Sequence, residues 1–486
     1  MLIGTGIFAA AVCCQLTTAQ EAGTVRPWKY LLLDDSRLLD DCPVCGRPSI
    51  PEPMHGTFEL RPVQSNPLFT TYALENIEFK AGRNRSYSVK GSGTFQTGGE
   101  VALTQQMTLQ VDIDDGTAVK ACGLKSGVSP VSRFWPMMDI TAEQTNGTIT
   151  QTYSLRLAAA PVRDLWFSTS SSFTAGSGPE AGFAVSSGDL ISQSGRVVKR
   201  SAELYAAFGA PPPAAGPGLD AVDIQPGGVI AFSLDHNLPG SPSGPLQHGD
   251  LLSSKGSILI RNQQLLAPFI LQPPAPDTGL DVIHTTSEGI NLFSIGTNVF
   301  SEKLGVMLHR GDLLSSRGTV LLTNQGLLSA FKPSRPEADY GLDALYVWGG
   351  GEIWFSTEEG FVDNALGPVA AGDLLSNSGY IVLRNGDLLS AFAPVNAAGD
   401  PGLDALYVIT DAAAPLPPAD FTILSFPSTQ SIHLSWLGSG RVFQVEQSSH
   451  PGGPFEVLSP LIPDLSFEDT GVLSVHGRRF YRLLQW

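Results

Sequence analysis

Charge is scarce in this chain. Asp, Glu, Lys and Arg make up 15% of 486 residues, against roughly a quarter in an ordinary globular protein. Solvated amphipathic helices need such residues, so a mainly helical architecture is disfavoured. Histidine is scarcer still: the eight residues at 55, 236, 248, 284, 309, 433, 450 and 476 follow no metal-ligand spacing, and HExxH is missing. There is no nucleophile elbow, phosphate-binding loop or dinucleotide fingerprint. A non-catalytic protein is therefore expected, although paired glycosidase-type carboxylates have no signature readable from sequence. Beyond the N-terminus, no stretch is long and apolar enough to span a bilayer. Basic residues number 29 against 46 acidic, a net charge of −17. Such a surface repels phosphate backbones and makes nucleic acid a poor partner.

What is abundant points to strands. Glycine (52) and proline (36) are high, and 42% of residues are apolar, enough to fill cores rather than leave the chain disordered. The aliphatic residues fall in short runs between turn residues, which suits many short strands. At this length two to four domains are expected.

The first residues, MLIGTGIFAAAVCCQLTTAQ, combine an apolar run from Leu2 to Val12 with Thr17 and Ala19 at the −3 and −1 positions of a cleavage site. A leader over residues 1–19 and a secreted or cell-surface protein are expected, even with no basic residue after Met1. The alternative is lipid anchoring at Cys13 or Cys14, which Val12 or Cys13 just before it suits poorly. Cleavage leaves Cys42, Cys45 and Cys122, an odd number that allows one intramolecular disulfide. DDCPVCGRP resembles half of a zinc knuckle, but a structural zinc site needs four ligands and no second CxxC follows. The expected bridge joins Cys122 to Cys42 or Cys45 in an oxidising compartment.

Residues 24–160 hold alternating apolar and polar runs such as GTFEL, VALTQQMTLQVDI and GTITQTYSLRLA, separated by Gly-Gly, Asp-Asp-Gly and Asn-Gly. That pattern predicts a single β-sandwich or barrel-like domain, with the sandwich preferred. Residues 161–411 then repeat about every 61 residues. Each copy carries a Gly-Asp turn, with its aspartate at Asp189, Asp250, Asp312 or Asp373. Each has a second aspartate 31 residues later, at Asp220, Asp281, Asp343 or Asp404. A Phe-Ser pair recurs at Phe167, Phe232, Phe293 and Phe355. Every copy reads as a meander: GLDALYV and IWFS as strands, a variable loop, then DLLS, YIVLR and LLSAF as three more. A unit this small cannot bury both of its sheet faces alone, so neighbouring copies must stack. A closed ring of four is favoured over an open array because closure hides sheet edges.

These copies are similar to the propeller-type β repeats of uncharacterised exported bacterial proteins, a likeness that implies a blade-like fold and no activity. After the stiff AAAPLPPAD linker, residues 412–486 contain SIHLSW ending at Trp436, RVFQVEQSS, SFEDTG and RRFYRL with Tyr481. This tail resembles a fibronectin type III module, which implies a small sandwich. The chain is thus expected to be all-β and multidomain: an N-terminal β-sandwich, a central four-repeat propeller-like region and a C-terminal fibronectin type III-like sandwich.

The repeated aspartates are the sharpest site candidates. Asp189, Asp250, Asp312 and Asp373 are candidate calcium ligands, but calcium takes six to eight oxygens and each turn offers a single carboxylate. Pinning of turns through backbone N–H groups is the competing reading for both sets, Asp220, Asp281, Asp343 and Asp404 included. No cofactor other than calcium is implied. Trp166, Trp348 and Trp354 would serve a glycan platform if exposed, but strand aromatics usually fill cores. Two expectations follow by architecture: a secreted or surface scaffold binding a protein or polysaccharide, and a carbohydrate-binding protein that uses the variable loops. An extracellular hydrolase ranks below both.

Overall fold

A computed structural model describes residues 27–486 apart from 47–48, 83–85, 101, 134, 149, 210–215, 239–243, 273–276, 396–398, 413–415, 427–430 and 471–477. The expected leader, with Cys13 and Cys14, lies outside the described residues, as does part of the expected linker. The fold is all-β with several separate sheets.

The N-terminal strands are long and alternate inward and outward. They are β1 (Trp28–Leu32), β2 (Arg37–Asp41), β3 (Glu52–Ser65), β4 (Phe69–Ala81), β5 (Tyr87–Gly98), β6 (Thr104–Asp114), β7 (Val119–Lys125), β8 (Ser129–Pro130), β9 (Met138–Gln144) and β10 (Thr152–Ser168). Pairing runs antiparallel from β1 through β3, β4, β5, β6, β7 and β9 to β10, and β10 returns to pair with β1 and β2. Of the two expected arrangements the sandwich is corrected and the barrel-like one forms: one sheet closed on itself, its interior filled by Phe58, Leu74, Phe79, Phe95, Met107 and Leu109 among others. Closure removes the edges that a sandwich would have to protect. Two local features allow the curvature. Ser36, at the break between β1 and β2, exchanges hydrogen bonds with the backbone of Ala158 (2.8 and 3.0 Å) and so repairs the ladder. Gly56 has φ +139°, and a Cβ there would run into the Glu78 carbonyl.

The domain boundary expected at residue 160 falls inside β10. Its first half belongs to the barrel; its second half pairs with Ala405–Thr410 on one side and Leu190–Ser192 on the other. With Arg196–Lys199 these make a four-stranded antiparallel sheet whose first strand comes from the end of the repeat region. Three more sheets follow, beginning with Leu219–Gln225, Ile283–Thr285 and Ala344–Val347. Their second strands carry the Phe-Ser pairs. The four first strands touch in cyclic order.

The serines follow the same cycle. Ser168 donates to the Leu219 carbonyl (2.7 Å), Ser233 to Leu280 (2.6 Å), Ser294 to Leu342 (3.2 Å) and Ser356 to Leu403 (2.7 Å). Each bond crosses to the next sheet, and the fourth returns to the first. Each buried hydroxyl satisfies a buried carbonyl, so the copies are fastened by polar as well as apolar contacts.

The LLSAF segments are not strands. They begin inside short helices, α1 (Ser201–Tyr205), α2 (Asn262–Leu266), α3 (Asn324–Leu327) and α4 (Asn385–Leu388), whose last turns bury Leu204, Leu265, Leu327 and Leu388. The reason is local: the Gly-Asp carboxylate accepts the first helical N–H, one of the donors that a helix start leaves free.

The C-terminal residues form two three-stranded sheets around Leu434, Trp436, Phe443 and Val445. This module, the barrel and the ring meet at Arg163. Its guanidinium lies over Trp28 (4.6 Å) and near Trp486 (5.9 Å), and it pairs with Asp411.

Candidate site at the carboxylate end of the axis

The first set of repeated aspartates is consumed by its own turns. In Asp189, Asp250, Asp312 and Asp373 one oxygen accepts the N–H three residues back, and the other accepts that of Ser201, Asn262, Asn324 or Asn385 at 2.8–3.3 Å. Arg200, Arg261 and Arg384 add ion pairs to three of them. These carboxylates are buried and oriented toward backbone. Among the described residues no group of three or more His, Cys, Asp or Glu is placed to hold a metal ion.

Two further sets of repeated residues complete this scaffold, outside the motifs that mark the copies in the sequence. Asn262, Asn324 and Asn385 each donate to the glycine carbonyl of the next GLD segment at 3.1 Å. Asp277, Asp339 and Asp400 each hold two glycine N–H groups. Spacing could have found them: the asparagines stand twelve residues after the first aspartate, and these aspartates four before the second.

The second set behaves differently. Asp220, Asp281, Asp343 and Asp404 stand at the start of the four innermost strands and converge around the ring's axis. Asp220 and Asp281 act on one another, as do Asp343 and Asp404. Carboxylates crowded together in a buried place disfavour one another's ionised form. Burial, followed by the neighbouring carboxylates, pushes Asp220, Asp281 and Asp343 well above the usual carboxylate range. Burial likewise pushes Asp404 up to about 6, with Ser170 and Asp343 opposing.

Asp235 and Glu358 border this quartet. Burial pushes Glu358 up to about 7 against the pull of Arg310, whose guanidinium bonds Glu358, Glu359 and the Asp339 carbonyl. Asp281 borders a closed gap between the inner strands, with Ala221, Ala344 and Ala405, that has no room for a water molecule. Its Oδ2 and the Oε1 of Glu358 are buried without a hydrogen-bond partner. The variable loops leave and re-enter the sheets at this same end, after the Phe-Ser strands and before the Gly-Asp turns.

Three residues along each inner strand, the chemistry changes. Asp223, His284, Tyr346 and Tyr407 form the opposite end. Asp223 accepts from the Thr285 N–H (3.1 Å) and lies 3.6 Å from Arg441 of the C-terminal module. That arginine also donates to the Ile224 carbonyl (2.8 Å). Burial, then Arg441, pushes His284 down to about 4, so it is neutral at physiological pH. The barrel docks at this end too: Glu352 accepts from the Asp34 N–H (2.9 Å), Trp354 Nε1, Ser376 and Tyr380.

The disulfide joins Cys42 to Cys45, with Cα atoms 5.3 Å apart, and not either of them to Cys122, which is free and buried. A turn closed by the Cys45 N–H on the Cys42 carbonyl (3.0 Å) brings the pair together, whereas the Cys122 side chain packs inside the barrel. Trp166, Trp348 and Trp354 are buried and present no stacking surface. Among the described residues no helix is long and apolar enough to cross a membrane.

The chain matches no protein-family model, and no curated protein matches it.

Proposed function

We propose that this chain is an exported, non-catalytic recognition scaffold. In this reading the four sheets are blades of a propeller, and its carboxylate end, with the surrounding variable loops, meets the partner. The observation that carries it is the asymmetry of the axis. The barrel and the C-terminal module both dock at the Asp223 end, while the Asp220 end has convergent carboxylates that nothing else in the described chain neutralises apart from Arg310. Loops held on a rigid scaffold are where specificity resides. A cationic protein surface suits this end better than a neutral polysaccharide does, given the buried tryptophans and the electrostatic contribution to partner choice.

The test is a pull-down of the mature protein against envelope protein fractions and a polysaccharide panel, with and without calcium. Wild type should capture a protein component saturably and in a salt-sensitive way. Shortening the Val299–Leu308 hairpin to a tight turn should weaken capture. Saturable binding to one glycan, or turnover of a glycan, would contradict the reading.

A further inference from the structure

We propose that the open flank of the C-terminal module takes one more extended strand, supplied by a protein partner that carries acidic residues. This goes beyond the carboxylate end of the ring and does not depend on it. The barrel sheet closes on itself, and the outermost strands of the four ring sheets, Arg196–Lys199, Ser257–Ile260, Thr319–Leu322 and Tyr380–Leu383, have four residues each. The two sheets of the C-terminal module instead end on longer strands, Asp420–Phe426 and Phe480–Gln485. Both lie on the same flank: Gln485, at the close of one strand, donates to the carbonyl of Pro417, just before the other.

The backbone of Phe480–Gln485 faces outward at every second residue. Trp486 and Val442 exchange both of their hydrogen bonds. In this antiparallel pair Leu484, Arg482 and Phe480 therefore also turn their N–H and C=O groups toward Phe443–Ser448. Gln485, Leu483 and Tyr481 turn theirs the other way, where no strand pairs with them among the described residues. The side chains of this flank are left open too. Ile423 stands opposite buried Leu434 on the inner face, yet it is 41% exposed. Leu483 stands opposite fully buried Val445 and is only half-buried. Evenly spaced backbone donors and acceptors beside exposed apolar side chains suit an added strand, which main-chain bonds hold and alternate side chains select.

Charge selects the strand. Arg478 and Arg479 lead into Phe480–Gln485, which itself carries Arg482. Arg479 pairs with Asp469 and Arg482 with Glu446. Arg478 is exposed and pairs with no carboxylate among the described residues. A second copy of this edge would set arginines against arginines, and like charges placed opposite one another destabilise strand pairing. Basic residues on an edge also discourage indiscriminate pairing. An extended segment with apolar residues at alternate positions and a carboxylate opposite Arg478 satisfies both the flank and its charge.

The test is amide hydrogen exchange by NMR in the full chain, with and without a synthetic peptide of alternating valine and threonine that ends in a pair of glutamates. In the chain alone, the Tyr481 and Leu483 amides should exchange about tenfold or more faster than those of Arg482 and Leu484. Saturating peptide should slow them to the rate of their neighbours. A dye-labelled form should bind saturably by fluorescence anisotropy. The same peptide with an N-methylated backbone should not bind, and one with lysines in place of the glutamates should bind roughly fivefold more weakly at low salt. Leu483→Pro removes an outward N–H while the inward ladder keeps its donors, so it should abolish binding. Arg478→Glu, at an exposed position with no ion pair to lose, keeps the test valid if Leu483→Pro fails to fold. It should reverse the preference between the glutamate and lysine peptides.

Slow exchange at Tyr481 and Leu483 in the monomeric chain alone would mean that the edge is already covered and would overturn the proposal. So would equal binding of the N-methylated peptide, or an unchanged preference in Arg478→Glu. A dimer in sedimentation whose formation protects these amides would assign the flank to a second copy instead.

Discussion

The two ends of the ring's axis are built from the same four strands yet solve opposite problems. At one end Asp223, His284, Tyr346 and Tyr407 are covered by the chain's own modules, and Arg441 supplies the cation that buried Asp223 needs. At the other, four identical aspartates crowd one another, are pushed upward by burial and by each other's charge, and leave the Asp281 Oδ2 without a hydrogen-bond partner. Identical residues around an axis cannot complement each other, so the repeat imposes frustration on this end. Diverged residues at the sealed end can complement each other, and they do. Where a repeat keeps one charged residue in every copy and directs it at its own symmetry axis, the compensation has to come from protons or from outside.

The comparison depends first on a closed ring, so the largest effect should come from breaking closure. Deleting one whole copy, residues 312–372, removes one step of the serine cycle. Cooperative unfolding in urea should be lost altogether; an open array would keep it with a modest loss. Next comes the sealed end. Arg441→Met leaves Asp223 buried beside no cation and should cost about 3 kcal/mol, measured by chemical denaturation. Adding Asp223→Asn should restore much of it.

The open end should respond with the opposite sign. Asp281→Asn removes an ionisable group from a crowd of buried carboxyls and should stabilise by about 1 kcal/mol at pH 8. The pH dependence carries the same information. Asp404, pushed up to about 6, and Glu358, pushed up to about 7, retain protons in the folded chain that the unfolded chain releases near pH 4. Their stabilisation is complete below about pH 4 and is lost as pH rises through about 6 and 7. The melting temperature should therefore fall between pH 5 and 8, and Asp404→Asn should flatten that fall. The smallest effect concerns the barrel wall. Mass spectrometry of the non-reduced protein should find Cys42 linked to Cys45, with the Cys122 thiol reacting only after unfolding. A peptide pair joining Cys122 to either would contradict the placement of Cys122 inside the barrel.

Much of the ring was legible because its signals are local and periodic. Gly-Asp turns, GLD segments and Phe-Ser pairs recur at fixed spacing, and strand-length apolar runs lie between turn residues that tolerate positive φ. What failed to show depended on long-range geometry. The sequence shows that Asp220, Asp281, Asp343 and Asp404 recur, but not that they face one another, which follows only once their strands are innermost. The sealed end was hidden differently: Asp223, His284, Tyr346 and Tyr407 share a position and not an identity, so matching by residue type passes over them. LLSAF reads as a strand because a short apolar run has no periodicity to separate helix from strand. The deciding contact comes from an aspartate twelve residues earlier. The choice between sandwich and barrel was hidden in β10, whose two halves serve different sheets.

The most direct measurement is an NMR titration of the aspartate carboxyl carbons in the full chain, assigned through single Asp→Asn variants. Asp220, Asp281, Asp343 and Asp404 are expected to titrate as coupled groups well above pH 4, while Asp223 shows no coupling to them. Four independent titrations near pH 4 would mean that these carboxyls do not crowd one another, and the contrast between the two ends would be lost.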